Sequence, residues 1–136
     1  MEQSLPKKIL ITDDDKYLLD MYTLKFKEKG FEVIQALGSL DALSKLKSGI
    51  TPDILLMDVV MPNMDGLELL AVVKNENLAP QAKIVVLSNL GQPSDIEKGR
   101  SLGIHGYIIK ASATPSEVVE KVTIVLEGGE SFAQVE

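Results

Sequence analysis

Cysteine is absent from the 136-residue chain, and histidine occurs once. Without thiols there is no disulfide framework and no thiolate metal site, and no oxidising compartment is implied. Long hydrophobic runs are missing too: nothing approaches the roughly 20 apolar residues of a membrane span. The opening MEQSLPKK carries no apolar stretch of the secretory kind. Basic residues are outnumbered, 14 Lys and Arg against 20 Asp and Glu, for a formal charge of −6. That balance argues against nucleic-acid binding, which needs a basic surface. A cytoplasmic protein with no membrane association is the expectation. What is present, 45% hydrophobic and 25% charged residues, is the composition of an ordinary globule with one core.

Short apolar segments recur along the chain: KILIT (8–12), FEVIQA (31–36), DILLM (53–57), KIVVLS (83–88) and GYIIK (106–110). Between them the spacing turns helical. The first helix is expected over 16–29, with Leu18, Tyr22 and Phe26 inward and Gly30 as its stop. The second runs over about 40–47 with Leu40, Leu43 and Leu46 inward, and the third follows Gly66 with Leu67, Leu70 and Val73 or Val72 buried. Ser94…Glu97 and Thr114…Glu117 each read as a capping box opening a further helix, the second with proline at its first position. The pattern is a (βα)5 α/β fold with right-handed parallel crossovers, and five strands fit the flavodoxin-like order 2-1-3-4-5. Residues 1–127 form the domain, and 128–136 read as a short polar tail that is frayed or cut from something longer.

In such a fold chemistry belongs at the carboxyl ends of the strands, in the crevice where the strand order reverses. Strand 1 ends in Thr12-Asp13-Asp14-Asp15, strand 3 in Asp58, strand 4 in Ser88-Asn89 and strand 5 in Lys110. Each alone has a plain explanation: Asp58 marks a turn, Asp15 caps a helix, Lys110 snorkels to solvent. Jointly they bring Asp13, Asp14 and Asp58 onto one rim. At ~5 Å each like-charged pair repels by roughly 3 kcal/mol at an effective dielectric near 20. A hard divalent cation relieves that repulsion, and all-oxygen ligands favour Mg²⁺ over Zn²⁺. A carboxylate, a metal, an ammonium and a hydroxyl aimed at one point suit transfer of a phosphoryl group to the carboxylate.

The segments ILITDDD, LLMDVVMPNMDGLELL, VVLSN and GYIIK, in that order, resemble the receiver domain of two-component response regulators of the single-domain, CheY-like kind. The resemblance covers about residues 7–127. It implies that Asp58 is the phosphoacceptor for a sensor histidine kinase or histidine phosphotransfer protein. It implies that Asp14, Asp58 and the backbone carbonyl of Val60 ligate Mg²⁺, with Asp13 acting through a metal-bound water. Lys110 is then the partner of a phosphoryl oxygen, and Ser88 the hydroxyl recruited once Asp58 is modified. Tyr107 matches the aromatic that moves inward with that hydroxyl, although a half-buried strand aromatic would read the same. A downstream protein target then reads the face of helix 4, strand 5 and helix 5, and the protein itself is a monomer or a weak phosphorylation-dependent dimer.

The chain departs from that family in two places. Where the family's lysine precedes a cis proline, here the pair is Lys110-Ala111. A cis bond before alanine costs ~3 kcal/mol, and the expectation leans to a strained cis bond that keeps Lys110 aimed. Asn89 replaces a small residue, and either crowds the phosphodonor or adds a hydrogen bond. Rival readings are a degenerate receiver used only for docking, a haloacid-dehalogenase-like phosphatase, and a flavodoxin-like binding module. The last is disfavoured because its phosphate loop would hold three aspartates. His105 has neither a helix face nor a defined acidic neighbour, so it reads as structural or solvent-facing rather than as a relay residue.

Overall fold

Alternation within the strands decides the layering. The computed structural model describes residues 5–133, and within them a single parallel sheet carries helices on both faces. In chain order the elements are β1 (Lys8–Asp13), α1 (Lys16–Glu28), β2 (Glu32–Leu37), α2 (Ser39–Lys47), β3 (Ile54–Met57) and α3 (Gly66–Asn75). They continue as β4 (Lys83–Ser88), α4 (Pro93–Ser101), β5 (Gly106–Ile109), α5 (Pro115–Leu126) and β6 (Ser131–Phe132). Successive strand side chains point to opposite faces. Ile9, Ile11, Leu56, Val85 and Ile108 therefore pack with α1 and α5 through Leu19, Tyr22, Phe26, Val118 and Val122. Leu10, Leu55, Met57, Val86 and Tyr107 pack on the other face with Ala42, Leu46, Leu70, Val73 and Ile96 of α2, α3 and α4.

The strand order is β2-β1-β3-β4-β5-β6, the expected 2-1-3-4-5 with one strand added. That strand corrects the reading of the tail as frayed. Ser131 and Phe132 pair in parallel with Gly106 and Tyr107. The remainder of the tail, 134–136, lies outside the described residues.

Three helix details also differ from expectation. In α1 the buried stripe is Leu19, Tyr22, Thr23 and Phe26, one residue on from Leu18. In α2 Leu46 is buried as expected, but Leu40 is 53% exposed and the helix seats Ala42 instead, because a small side chain lets it lie close to the sheet. Helix α4 starts at Pro93, where Gln92 N–H donates to Asp95 Oδ2 at 3.1 Å, rather than at a Ser94–Glu97 box. Proline fits the first helical position because no partner exists there for the amide it lacks. The Thr114–Glu117 box stands as expected, and Gly30 adopts the left-handed φ of +89° that ends α1.

His105 proves structural. Its Nδ1 accepts the Ile84 amide proton at 3.1 Å, which requires the neutral ring. Burial, helped by the charges of Lys83 and Lys74, lowers its pKa below the ordinary histidine value. The unfolded chain therefore takes up the proton first as pH falls, and stability drops as pH passes down through about 6.5. Urea unfolding should show that fall between pH ~7.5 and ~5.5, and a smaller one in His105→Asn, which keeps an acceptor but does not titrate in that range.

Candidate functional site

The ladder places the chemistry. Ile9 pairs with Ile54 and Thr12 with Met57, so Asp58 follows directly beside Thr12 and Asp13. Asp58 N–H donates to the Thr12 carbonyl at 3.2 Å. On the other side Ser88 pairs with Ile109, which brings Lys110 to the same rim. Asp13, Asp14 and Asp58 each present a carboxylate oxygen, all within 4.8 Å of one another. Asp13 is 2% and Asp58 7% exposed, while Asp14 faces solvent. The Lys110 ammonium spans the pair, donating to Asp13 Oδ2 at 2.7 Å and Asp58 Oδ2 at 2.8 Å.

The second carboxylate oxygens are held by backbone. Asp13 Oδ1 accepts from Asp15 N–H at 2.9 Å, and Asp58 Oδ1 from Val60 N–H at 3.2 Å. Asp15 caps α1 by accepting from Leu18 N–H, so the third aspartate of the run is spent on the helix. Burial pushes the Asp58 carboxyl above the usual aspartate range despite its bond to Lys110, and neighbouring Asp13 adds to the rise. For Lys110 burial works downward, but its bonds to Asp13 and Asp58 outweigh it and hold the ammonium above its ordinary value. Two buried acids and a third at the rim face one cation. The donor set is all oxygen, and each carboxylate keeps lone pairs beyond its present bonds. Hard ligands of this kind fit Mg²⁺, which keeps several waters and takes one or two carboxylates.

Ser88 is fully buried at the end of β4, and its Oγ accepts from Leu90 N–H at 3.1 Å. Tyr107 is 1% exposed and points inward, where its hydroxyl donates to the Leu90 carbonyl. The half-buried surface position open to it in the sequence is not the one it takes. The Val60 side chain is exposed at the lip of the pocket.

The lysine loop corrects one expectation. No cis peptide bond occurs among the described residues, so Lys110-Ala111 is trans. Residues Lys110–Ser112 coil into a short 3-10 turn instead. Asn89 Oδ1 accepts the Ala111 amide proton at 3.0 Å, bracing the turn from the neighbouring strand end. Lys110 reaches Asp13 and Asp58 without the ~3 kcal/mol cost of a cis bond before alanine. Of the two outcomes the sequence left open for Asn89, the added hydrogen bond is the one found. The paired signal was there: the missing proline and the enlarged neighbour of Ser88.

A family model described as the response regulator receiver domain matches residues 9–123. The chain belongs to this family. It is 33% identical over 120 residues to the chemotaxis protein CheY of Thermotoga maritima, covering 88% of this chain and 97% of that one. Identity to CheY of Listeria monocytogenes is 35% over 104 residues, covering 76% and 85%. Of some longer curated relatives the chain spans only 30% of the length. Among solved structures, a CheY-like receiver domain protein from Methanospirillum hungatei JF-1 superposes with a TM-score of 0.80 at 28% identity, over 90% of this chain and 95% of that one. Receiver domains are signalling modules rather than enzymes, which removes the phosphatase alternative. Among the described residues no helix is long and apolar enough to cross a membrane.

Proposed function

We propose that this receiver takes a phosphoryl group onto Asp58 from a sensor histidine kinase or histidine phosphotransfer protein. The observation that carries the reading is the ammonium of Lys110 held between two buried carboxylates, with a third acid within 4.8 Å. An Asp58 oxygen attacks phosphorus, the P–N bond of the donor phosphohistidine breaks, and its electron pair returns to the imidazole nitrogen. Asp58 must be ionised to attack, and Lys110 both favours that form and offers a donor to the incoming phosphoryl oxygens. Asp13, Asp14, Asp58 and the Val60 carbonyl would hold Mg²⁺ here, and the ion would supply charge neutralisation for the transfer.

Modified Asp58 draws the Ser88 hydroxyl to a phosphoryl oxygen. Leu90 N–H then loses its acceptor, and the Leu90 carbonyl that receives Tyr107 moves with it. The switch is therefore a redistribution between two arrangements of the α4–β5–α5 face, which a downstream protein target reads. The protein acts in the cytoplasm as a monomer or weak phosphorylation-dependent dimer. The braced lysine loop supports a working site over a docking-only receiver.

Beryllofluoride with Mg²⁺ mimics the phosphoryl group. Added to the wild type, it should shift amide resonances across α4, β5 and α5, and it should shift none of them in Asp58→Asn. Shifts confined to the pocket would refute the switch while leaving the binding reading standing.

A further inference from the structure

A sheet edge normally exposes unpaired amides and carbonyls, which other strands can add to. Here the β5 edge is closed by the chain itself. Ser131 N–H donates to the His105 carbonyl at 3.2 Å and Ala133 N–H to the Tyr107 carbonyl at 2.8 Å. Phe132 lies under the Arg100 guanidinium of α4, 4.0 Å from cation to ring centroid. Phe132 and Ala133 also pack on the core beside Tyr107. The seat depends on Gly106: a Cβ there would stand 2.9 Å from the Ser131 carbonyl oxygen.

Beyond Ala133 the groove continues along β5 as a cavity of about 170 Å³ bordered by Ile109, Ser112 and Lys121. The tail is also bonded to the main chain of Tyr107, whose hydroxyl reaches Leu90 and, through the Leu90 amide, Ser88.

We propose that the trough between α4 and α5 is a strand-accepting site for an extended segment of a partner protein. That segment runs parallel to β5 and sets an aromatic side chain under Arg100 followed by a small residue, and residues 131–133 occupy its place in cis until displaced. The reading rests on the proposed function only in taking α4–β5–α5 as the signalling face.

The test needs no phosphorylation, so its failure leaves the Asp58 reading untouched. A fluorescent synthetic peptide of residues 129–134, GESFAQ, is titrated by anisotropy into unphosphorylated full chain. A tethered tail competes at an effective concentration of about millimolar, so Phe132→Ala should bind the peptide roughly tenfold or more tighter than wild type. Adding Gly106→Ala to that variant should return binding to the wild-type level, because the acceptor is then blocked. Equal affinity for wild type and Phe132→Ala, or no binding to Phe132→Ala, overturns the proposal. Independently, the Ser131 and Ala133 amides of the wild type should exchange about tenfold or more slower than coil. Exchange at the coil rate also overturns it.

Discussion

Lys110→Met should lose about 2–3 kcal/mol of stability at neutral pH in chelator-containing buffer, alongside most of its capacity for phosphoryl transfer. Lys110 is 10% exposed by side chain, and both of its partners are more buried still. Removing it leaves Asp13 and Asp58 facing each other with no ammonium between them. An orphaned buried charge costs more than the pair contributes, because desolvation is no longer offset. The exposed Asp14 side of the pocket admits water and keeps the loss near the lower end.

Two controls separate this from a packing defect. Without the lysine, the Asp58 carboxyl rises further above its already raised position. A carboxyl whose folded pKa exceeds its unfolded one binds protons preferentially in the native state, so stability is gained as pH falls through the folded value. Lowering the pH should therefore recover part of the loss in Lys110→Met relative to wild type. Added Mg²⁺ should recover part as well, since a ligand of the native state stabilises it. Urea midpoints with and without Mg²⁺ at two pH values make the check. A loss indifferent to both would mean that Lys110 acts only through its aliphatic stem.

Gly66→Ala should be the most damaging single methyl in the protein, costing roughly 3 kcal/mol. Gly66 opens α3 with its N–H on the Val59 carbonyl at 2.8 Å. An added Cβ would lie 2.1 Å from the Asp58 carbonyl oxygen and 2.9 Å from Val59 Cα, both backbone atoms. No rotamer change relieves that clash, so either α3 backs away or the chain carrying Asp58 shifts. Phosphorylation should fall with stability, even at temperatures where the variant is folded. Gly99→Ala is the matched control. Its Cβ would meet Ile104 Cδ1 at 2.6 Å, the free end of a flexible side chain. The gain of about 1 kcal/mol from alanine in a helix should largely offset that contact. Similar losses for the two variants would contradict the close approach at Asp58.

The five strands and their order were legible because buried parallel strands leave near-continuous apolar runs, and each run except the edge strand β2 ends on a residue that burial alone does not explain. Asp13, Asp58, Ser88 and Lys110 meet at one rim because the register of the ladder sets them side by side. Helix faces were less legible. Leu40 fits an inward stripe by spacing, yet only the fit of α2 on the sheet decides that Ala42 takes the close contact. Pro93 was the unused signal for the start of α4, the same signal that Pro115 gave for α5. Lys110-Ala111 keeps the ordinary trans bond, and the turn after it is bonded to Asn89 at another strand end, a partner that no local pattern names. Strand β6 was invisible for a related reason: its one aromatic sits in a polar tail, and its contact with Arg100 is made only in the fold.

On the proposed function, folding makes one carboxylate of this chain, and only one, a phosphoryl acceptor. Intact-mass and fragment-mass measurement after incubation with acetyl phosphate and Mg²⁺ tests it most directly. The wild type should gain a single phosphoryl group, mapped to Asp58, and Asp58→Asn should gain none. Undiminished labelling of Asp58→Asn, or an unlabelled wild type, would contradict it.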